Sequence, residues 1–293
     1  MTSFDTPINP LTDPARVKAA LNSLGLRPTK GMGQNFLIDA EPLRLALAAA
    51  EVGRDDVVVE VGPGLGVLTW ELLRAARQVI GVELDKRLAA RLRTEFTGES
   101  LTLIESDVLN IAPSAMLAAA GLNSATPYKV VANIPYAITS PLLRHFLEGD
   151  APPLLMMVLM QWEVAQRISA KPGDLSILAH SVQLYATAEI VAKVPSSAFW
   201  PSPAVDSALV LMRRRLQPAV ATPPNVLFKV IRAGFSQARK KLSNSLTSGL
   251  AGQGFPKERV MAAMLAANVD PNWRAEVLTL EQWAAVAAAL EMS

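Results

Sequence analysis

The chain has 293 residues, 51% of them apolar and 18% charged, with a net charge of +2 and no cysteine. Such a composition fits a globular protein with a large core, either one large domain or one of about 200 residues with a smaller companion. It excludes disulfides and thiolate metal sites, and with His145 and His180 as the only histidines no histidine-based metal centre is expected.

Residues 1–29 form a proline-containing lead with one short amphipathic stretch, "PARVKAALNSLGL", ended by the Arg27-Pro28 pair. The first residues lack a basic stretch followed by an apolar core, and no segment reaches the roughly 20 apolar residues of a membrane span. A cytoplasmic protein with no membrane contact is therefore expected, and nothing in the pattern demands more than a monomer.

From about residue 40 to 212, short runs rich in Val and Ile alternate with helical patterns. The runs are "DVVVEVG" (56–62), "QVIGVEL" (78–84), "LTLIESD" (101–107), "YKVVANI" (128–134), "LLMMVLMQ" (154–161) and "SALVLMRR" (207–214). Helical patterns such as "LGVLTWELLRAA" (65–76) and "KRLAARLRTEF" (86–96) lie between them. This alternation predicts βαβ units, hence an α/β fold: a mostly parallel, doubly wound, Rossmann-like sheet with its ligand crevice at the carboxyl ends of the strands. After the proline-rich "LQPAVATPPN" (216–225) the strand signal stops and only helical patterns follow. The reading divides the chain into the lead (1–29), a ligand-binding domain (30–215) and a small all-α domain (216–293).

The stretch "VVVEVGPGLGVLT" (57–69) carries the first chemistry. Gly62, Gly64 and Gly66 follow a strand and open a helix, where they allow a sharp turn and keep side chains away from a ligand; a plain tight turn would need the same residues. Glu60 precedes the first glycine by two, and Glu83 ends the next strand about 20 residues on, where nucleotide crevices bind a ribose diol. The third glycine comes one residue too early for a dinucleotide site, and Pro63 sits between the first two. S-adenosylmethionine, an adenosyl ligand with no phosphates, fits better than NAD. Asp107 ends the third strand, where a carboxylate can accept from an adenine amine or cap the helix that follows.

The fourth strand runs into Asn133-Ile134-Pro135-Tyr136. The exocyclic amine of adenine is a poor nucleophile because its lone pair is delocalised into the ring. The Asn133 side-chain oxygen and the Ile134 carbonyl can accept its protons, Pro135 can stiffen the turn, and Tyr136 offers a ring to stack on. A loop with a half-buried tyrosine would explain the same letters. Two basic runs come late: Arg213, Arg214 and Arg215, then "SQARKK" with Arg239, Lys240 and Lys241, either RNA contacts or solvated helix ends.

Taken in order, "GMGQNFLID", "VEVGPGLGVLT", "GVELD", "ESDVL", "NIPYAITSPLL", "MVLMQWEVAQRI", "SAFWPSPAVDSALVLM" and "FSQARKKLSNSL" resemble the ribosomal RNA adenine N6-dimethyltransferase family over more than two-thirds of the chain. The resemblance implies methyl transfer from S-adenosylmethionine, without a metal, to two adjacent adenosines near the 3′ end of small-subunit (16S) rRNA. It implies that Asn35, Leu37, Gly62, Glu83, Asp107 and Asn133 contact the donor, with Gly64 in the same loop. It also implies that Phe199 stacks on the target base opposite Tyr136, although Phe199 could equally be a core residue. Gln161 and Glu163 would shape the entrance, or simply form a strand-to-helix junction. "FSQARKKL" is less basic than the "FxQRRK" form of the family. Three alternatives stay open: a large-subunit rRNA adenine methyltransferase of the resistance type, a DNA adenine methyltransferase, and a non-catalytic ribosome-assembly factor.

Overall fold

The computed structural model describes residues 9–26, 35–135 and 138–291. Nine strands occur among them: β1 (Phe36–Leu37), β2 (Val57–Val61), β3 (Gln78–Glu83), β4 (Leu101–Glu105), β5 (Lys129–Asn133), β6 (Leu155–Gln161), β7 (Ala186–Val194), β8 (Phe199–Trp200) and β9 (Ser207–Arg214). Seven of them form one sheet in the order β4-β3-β2-β5-β6-β9-β7, while β1 and β8 pair separately. The pairs β2–β3, β3–β4, β2–β5 and β5–β6 are parallel, and β9 runs antiparallel to β6.

Each central strand is apolar on both faces because helices cover both. Val57, Val58 and Val59 are all at most 1% exposed, as are Val130 and Val131. The chain moves outward from β2 to β4 and then returns to the other side of β2 with β5. Loops that leave the carboxyl ends of β2 and β5 therefore diverge, and a crevice opens between them.

The chain divides into two compact units, residues 1–165 with 189–214, and residues 166–188 with 215–293. The second contains helices Ile177–Gln183, Pro224–Gly234, Leu242–Gly249, Lys257–Ala266 and Leu280–Ala289. Its core is built around Trp283, which is fully buried with Leu184, Leu227, Ile231 and Leu246. A side chain at Gly234 would overlap the Trp283 ring, so helices Pro224–Gly234 and Leu280–Ala289 approach closely there.

Residues 166–188 stand apart from the sequence division, which placed them with the sheet. Leu184 packs into the helical core, and the main-chain N–H groups of Gly173 and Leu175 donate to the Glu276 carbonyl. These contacts are long-range, and local patterning does not show them. Strands β1, β7 and β8 were also outside the sequence reading. β7 alternates irregularly between exposed and half-buried positions, and the other two are only two residues long.

Candidate active site

The glycine loop follows β2 without interruption. Gly62 N–H donates to the Val82 carbonyl at 2.9 Å, which extends the β2–β3 ladder by one bond. Gly64 and Gly66 have φ of 60° and 89°, a region that disfavours any Cβ. Their tasks differ. At Gly64 the backbone runs beside the Phe36 ring and its N–H donates to Glu83 Oε2 at 2.9 Å. At Gly66 an added Cβ would lie 2.6 Å from the Phe96 ring, so this glycine serves the entry into helix Val67–Ala75 and its packing on Phe96.

Three carboxylates end or approach the ends of neighbouring strands. Glu83 holds the loops together: Oε2 takes the Gly64 N–H, and Oε1 takes that of Asp85 at 2.9 Å. Burial raises its pKa above the usual carboxylate range, and these hydrogen bonds oppose the rise. Glu60 lies deeper, at 1% exposure, and Oε2 accepts from Thr69 Oγ1 at 2.7 Å. Burial pushes its pKa up to about 8 despite that bond, and the charge of Glu83 adds to the effect. Asp107 follows β4 and accepts the Leu109 N–H at 3.0 Å through Oδ1, capping the short turn Val108–Asn110. The capping role considered for it in the sequence is thus present, and Oδ2 is not used in that bond.

Asn133, Ile134 and Pro135 leave the end of β5 and form one wall of a pocket with Asn35, Leu37, Glu60, Gly62, Gly64 and Glu83. Asn133 Nδ2 lies 3.5 Å from the Asn35 carbonyl and donates to it, so its Oδ1 points the other way. Ile134 is 2% exposed and anchors the turn in the core. Tyr136, expected beside them, lies outside the described residues.

Phe199, which the resemblance places against the target base, lies on β8. It pairs with Leu37 across β1 and β8 and is 3% exposed, inside the core cluster that includes Leu159 and Leu209. This placement matches the core alternative raised by the sequence.

The ribosomal RNA adenine dimethylase model matches residues 26–291. The chain belongs to the ribosomal RNA adenine dimethylase family. A ribosomal RNA small subunit methyltransferase A from Dehalococcoides mccartyi is 44% identical over 274 residues, which cover 92% of this chain and 90% of the relative. Among solved structures, the 23S rRNA methyltransferase ErmE is 30% identical, with a TM-score of 0.67 over 88% of this chain and 100% of its own. A dimethyladenosine transferase from Plasmodium falciparum has a TM-score of 0.72 at 24% identity, over 86% of this chain and 95% of its own, and shares the fold. The fold is thus the Rossmann-like α/β fold of S-adenosylmethionine-dependent methyltransferases, as the glycine loop and strand spacing implied.

For a ribosomal RNA adenine dimethylase the two basic runs now separate. Because β9 is antiparallel to β6, Arg213 stands opposite Leu155 at the start of β6. Arg213 and Arg214 therefore sit at the amino-end edge of the parallel strands, away from the pocket. Arg213 forms an ion pair with Glu51 at 2.7 Å, and Arg214 donates to the Pro152 carbonyl at 3.2 Å. Both arginines are exposed, and these contacts tie them to loops at that edge of the sheet. Arg239, Lys240 and Lys241 are exposed in the helical unit, between Phe235–Gln237 and helix Leu242–Gly249, with Lys241 Nζ donating to Asn272 at 2.9 Å. Gln161 and Glu163 mark the carboxyl end of β6, half-buried and exposed respectively. Among the described residues no helix is long and apolar enough to cross a membrane, and no group of three His, Cys, Asp or Glu could hold a metal ion.

Proposed function

We propose that the chain transfers methyl groups from S-adenosylmethionine to N6 of two adjacent adenosines near the 3′ end of 16S rRNA, giving N6-dimethyladenosine. The substrate is the small ribosomal subunit or its precursor, met by a monomer. The observation that carries this reading is one pocket in which the glycine loop and Glu83 meet Asn133, Ile134 and Pro135. The residues fit the donor: Glu83 suits the ribose diol, Phe36, Leu65 and Leu88 give apolar walls, and among the described residues no cation stands in the pocket wall to oppose a positively charged ligand.

S-adenosylmethionine supplies an electrophilic methyl group on a sulfonium. The chain supplies position and acceptors. Asn35, Leu37, Gly62, Gly64, Glu83 and Asp107 hold the donor, Asp107 through its remaining oxygen. Asn133 Oδ1 and the Ile134 carbonyl accept the amine protons, which localises the nitrogen lone pair toward the methyl group. Asn35 supports this by engaging the Asn133 amide nitrogen, which leaves the oxygen aimed at the base. Pro135 fixes the turn and Tyr136 offers the stacking face. A contribution from Phe199 would require the Phe199–Trp200 segment to shift; as placed, its role is to seat Leu37. With no cysteine in the chain, direct in-line transfer without a covalent enzyme intermediate is expected. Arg239, Lys240 and Lys241 provide contacts to the RNA backbone.

The small-subunit relative at 44% identity supports this assignment over the large-subunit one, for which the solved neighbour stands at 30%. Intact Glu83 and Asn133-Ile134-Pro135-Tyr136 argue against a purely non-catalytic assembly factor. Replacing Asn133 with Ala removes the side-chain acceptor at a half-buried position. The expected result is loss of labelled-methyl transfer by at least about 100-fold with an unchanged melting curve; near-normal transfer would sink the assignment.

A further inference from the structure

A second, smaller cavity shares Leu37 and Asn133 with the donor pocket, and the transfer described above gives it no task. Its volume is about 20 Å³. Helix Ala40–Ala49 contributes Ala46 to the wall, and the neighbouring strands β5, β6 and β9 contribute Val131, Leu159 and Leu209. With Leu37, each of these side chains is at most 4% exposed. Among the described residues Asn133 is the single polar side chain on the wall.

That volume suits one group about the size of a water molecule or a methyl group. A water needs two or more polar partners, and here the Asn133 Nδ2 is already directed at the Asn35 carbonyl. The walls therefore favour an apolar occupant.

Two methyl groups must reach the same nitrogen, and the two transfers make different demands. Before the first, N6 offers one proton to Asn133 Oδ1 and one to the Ile134 carbonyl. Before the second, it carries one proton and one methyl group, so a methyl contact must replace one of the two hydrogen bonds. The acceptors are not equivalent. The Ile134 carbonyl is main chain, set between a side chain at 2% exposure and the ring of Pro135, so it stays in place and keeps the remaining proton. Asn133 borders the cavity, and on its side an apolar group finds room.

We propose that this cavity receives the first methyl group of the N6-monomethyl intermediate, and that Val131 and Ala46, which set its size, are specificity residues permitting the second transfer. The inference rests on the dimethylation reading above. In the second transfer a carbon–nitrogen bond forms and the methyl–sulfur bond breaks, with its electron pair left on sulfur. The last N6 proton leaves to solvent, and the products are N6-dimethyladenosine and S-adenosylhomocysteine.

Val131→Ile adds one methylene to the cavity wall, and Ala46→Val narrows it independently from the helix side. Val58→Ile makes the same addition in the same core cluster but away from this wall. Small subunits lacking the modification are incubated with labelled donor, and nuclease digestion at successive times separates mono- from dimethyladenosine; melting curves check folding. Wild type and Val58→Ile should pass through the monomethyl product to the dimethyl one. Val131→Ile and Ala46→Val should make the monomethyl product within about twofold of the wild-type rate and convert it about tenfold or more slowly.

Complete dimethylation at the wild-type rate by folded Val131→Ile and Ala46→Val would overturn the proposal while the dimethylation reading stands. Equal slowing of both transfers, or the same product ratio in Val58→Ile, would do so too. No methylated adenosine with wild-type protein would overturn the reading of the function itself, and the proposal with it.

Discussion

Glu83, at the end of β3, accepts the Gly64 N–H at 2.9 Å and so ties the second strand of the crevice to the glycine loop that leaves the first. One carboxylate thereby shapes the pocket and remains available to a ligand, because each of its oxygens has a second lone pair. Glu83→Gln keeps an acceptor but loses the charge, and Glu83→Ala loses both. Donor affinity should fall about tenfold for the first and about 100-fold for the second, read by equilibrium dialysis. Equal affinity in Glu83→Ala would remove Glu83 from the site.

Gly66 and Gly98 test whether the third glycine of the loop is kept for packing. Both have positive φ, 89° and 83°, but only at Gly66 would a Cβ meet neighbours, with Phe96 at 2.6 Å and Leu92 at 2.9 Å. Gly98→Ala should cost about 1 kcal/mol from backbone strain alone, and Gly66→Ala about 3 kcal/mol or more in urea unfolding. Equal costs would mean that the Phe96 contact carries no weight.

Two buried groups give stability opposite pH slopes. Glu60 has a folded pKa of about 8 against 4.5 when unfolded, so between these values the folded state holds a proton that the unfolded state has lost. Its contribution therefore falls as pH rises from 4.5 to 8, and Glu60→Gln should gain on wild type toward pH 8. His180 behaves in the reverse sense. Burial lowers its pKa from 6.5 to about 4, and its Nε2 accepts from Trp283 Nε1 at 3.2 Å. Below pH 6.5 the unfolded state gains a proton that the folded state refuses, so stability is lost as pH falls from 6.5 to 4, by about 3 kcal/mol. His180→Gln, which offers Trp283 an acceptor without titrating, should flatten that loss in Trp fluorescence unfolding curves at pH 7 and pH 4.5.

The two basic runs should behave differently toward RNA. Arg213→Ala with Arg214→Ala should change small-subunit binding less than about twofold, since these side chains engage Glu51 and the Pro152 carbonyl at the far sheet edge. Arg239→Glu with Lys240→Glu should weaken binding by about tenfold or more at low salt and flatten the salt dependence by about two units of slope. Filter binding across a salt series reads both outcomes, and the reverse ranking would contradict the placement.

Much of this site could be read from local sequence because its parts are local. A buried parallel strand needs a Val-Ile run, and Gly62, Gly64 and Glu83 stand at fixed offsets from strand ends. Asn133-Ile134-Pro135 is a turn whose letters suit neither helix nor strand. What local sequence did not show depends on pairing between distant residues. Phe199 lies inward only because it pairs with Leu37, more than 160 residues away by numbering. Arg213 and Arg214 are carried to the far edge only because β9 runs antiparallel to β6. Glu60 was noticed for its spacing, but its charge state depends first on its burial in the folded crevice, which Thr69 opposes and Glu83 reinforces. The allegiance of residues 166–188 to the helical unit rests likewise on Leu184 and Glu276 contacts.

The most direct test of the central claim is methyl acceptance from labelled S-adenosylmethionine by three substrates lacking the modification: small ribosomal subunits, large ribosomal subunits and duplex DNA. The account predicts incorporation into small subunits alone, approaching four methyl groups per particle, two on each of two adjacent adenosines, recovered as N6-dimethyladenosine after nuclease digestion. Incorporation into large subunits or DNA with none in small subunits would contradict it.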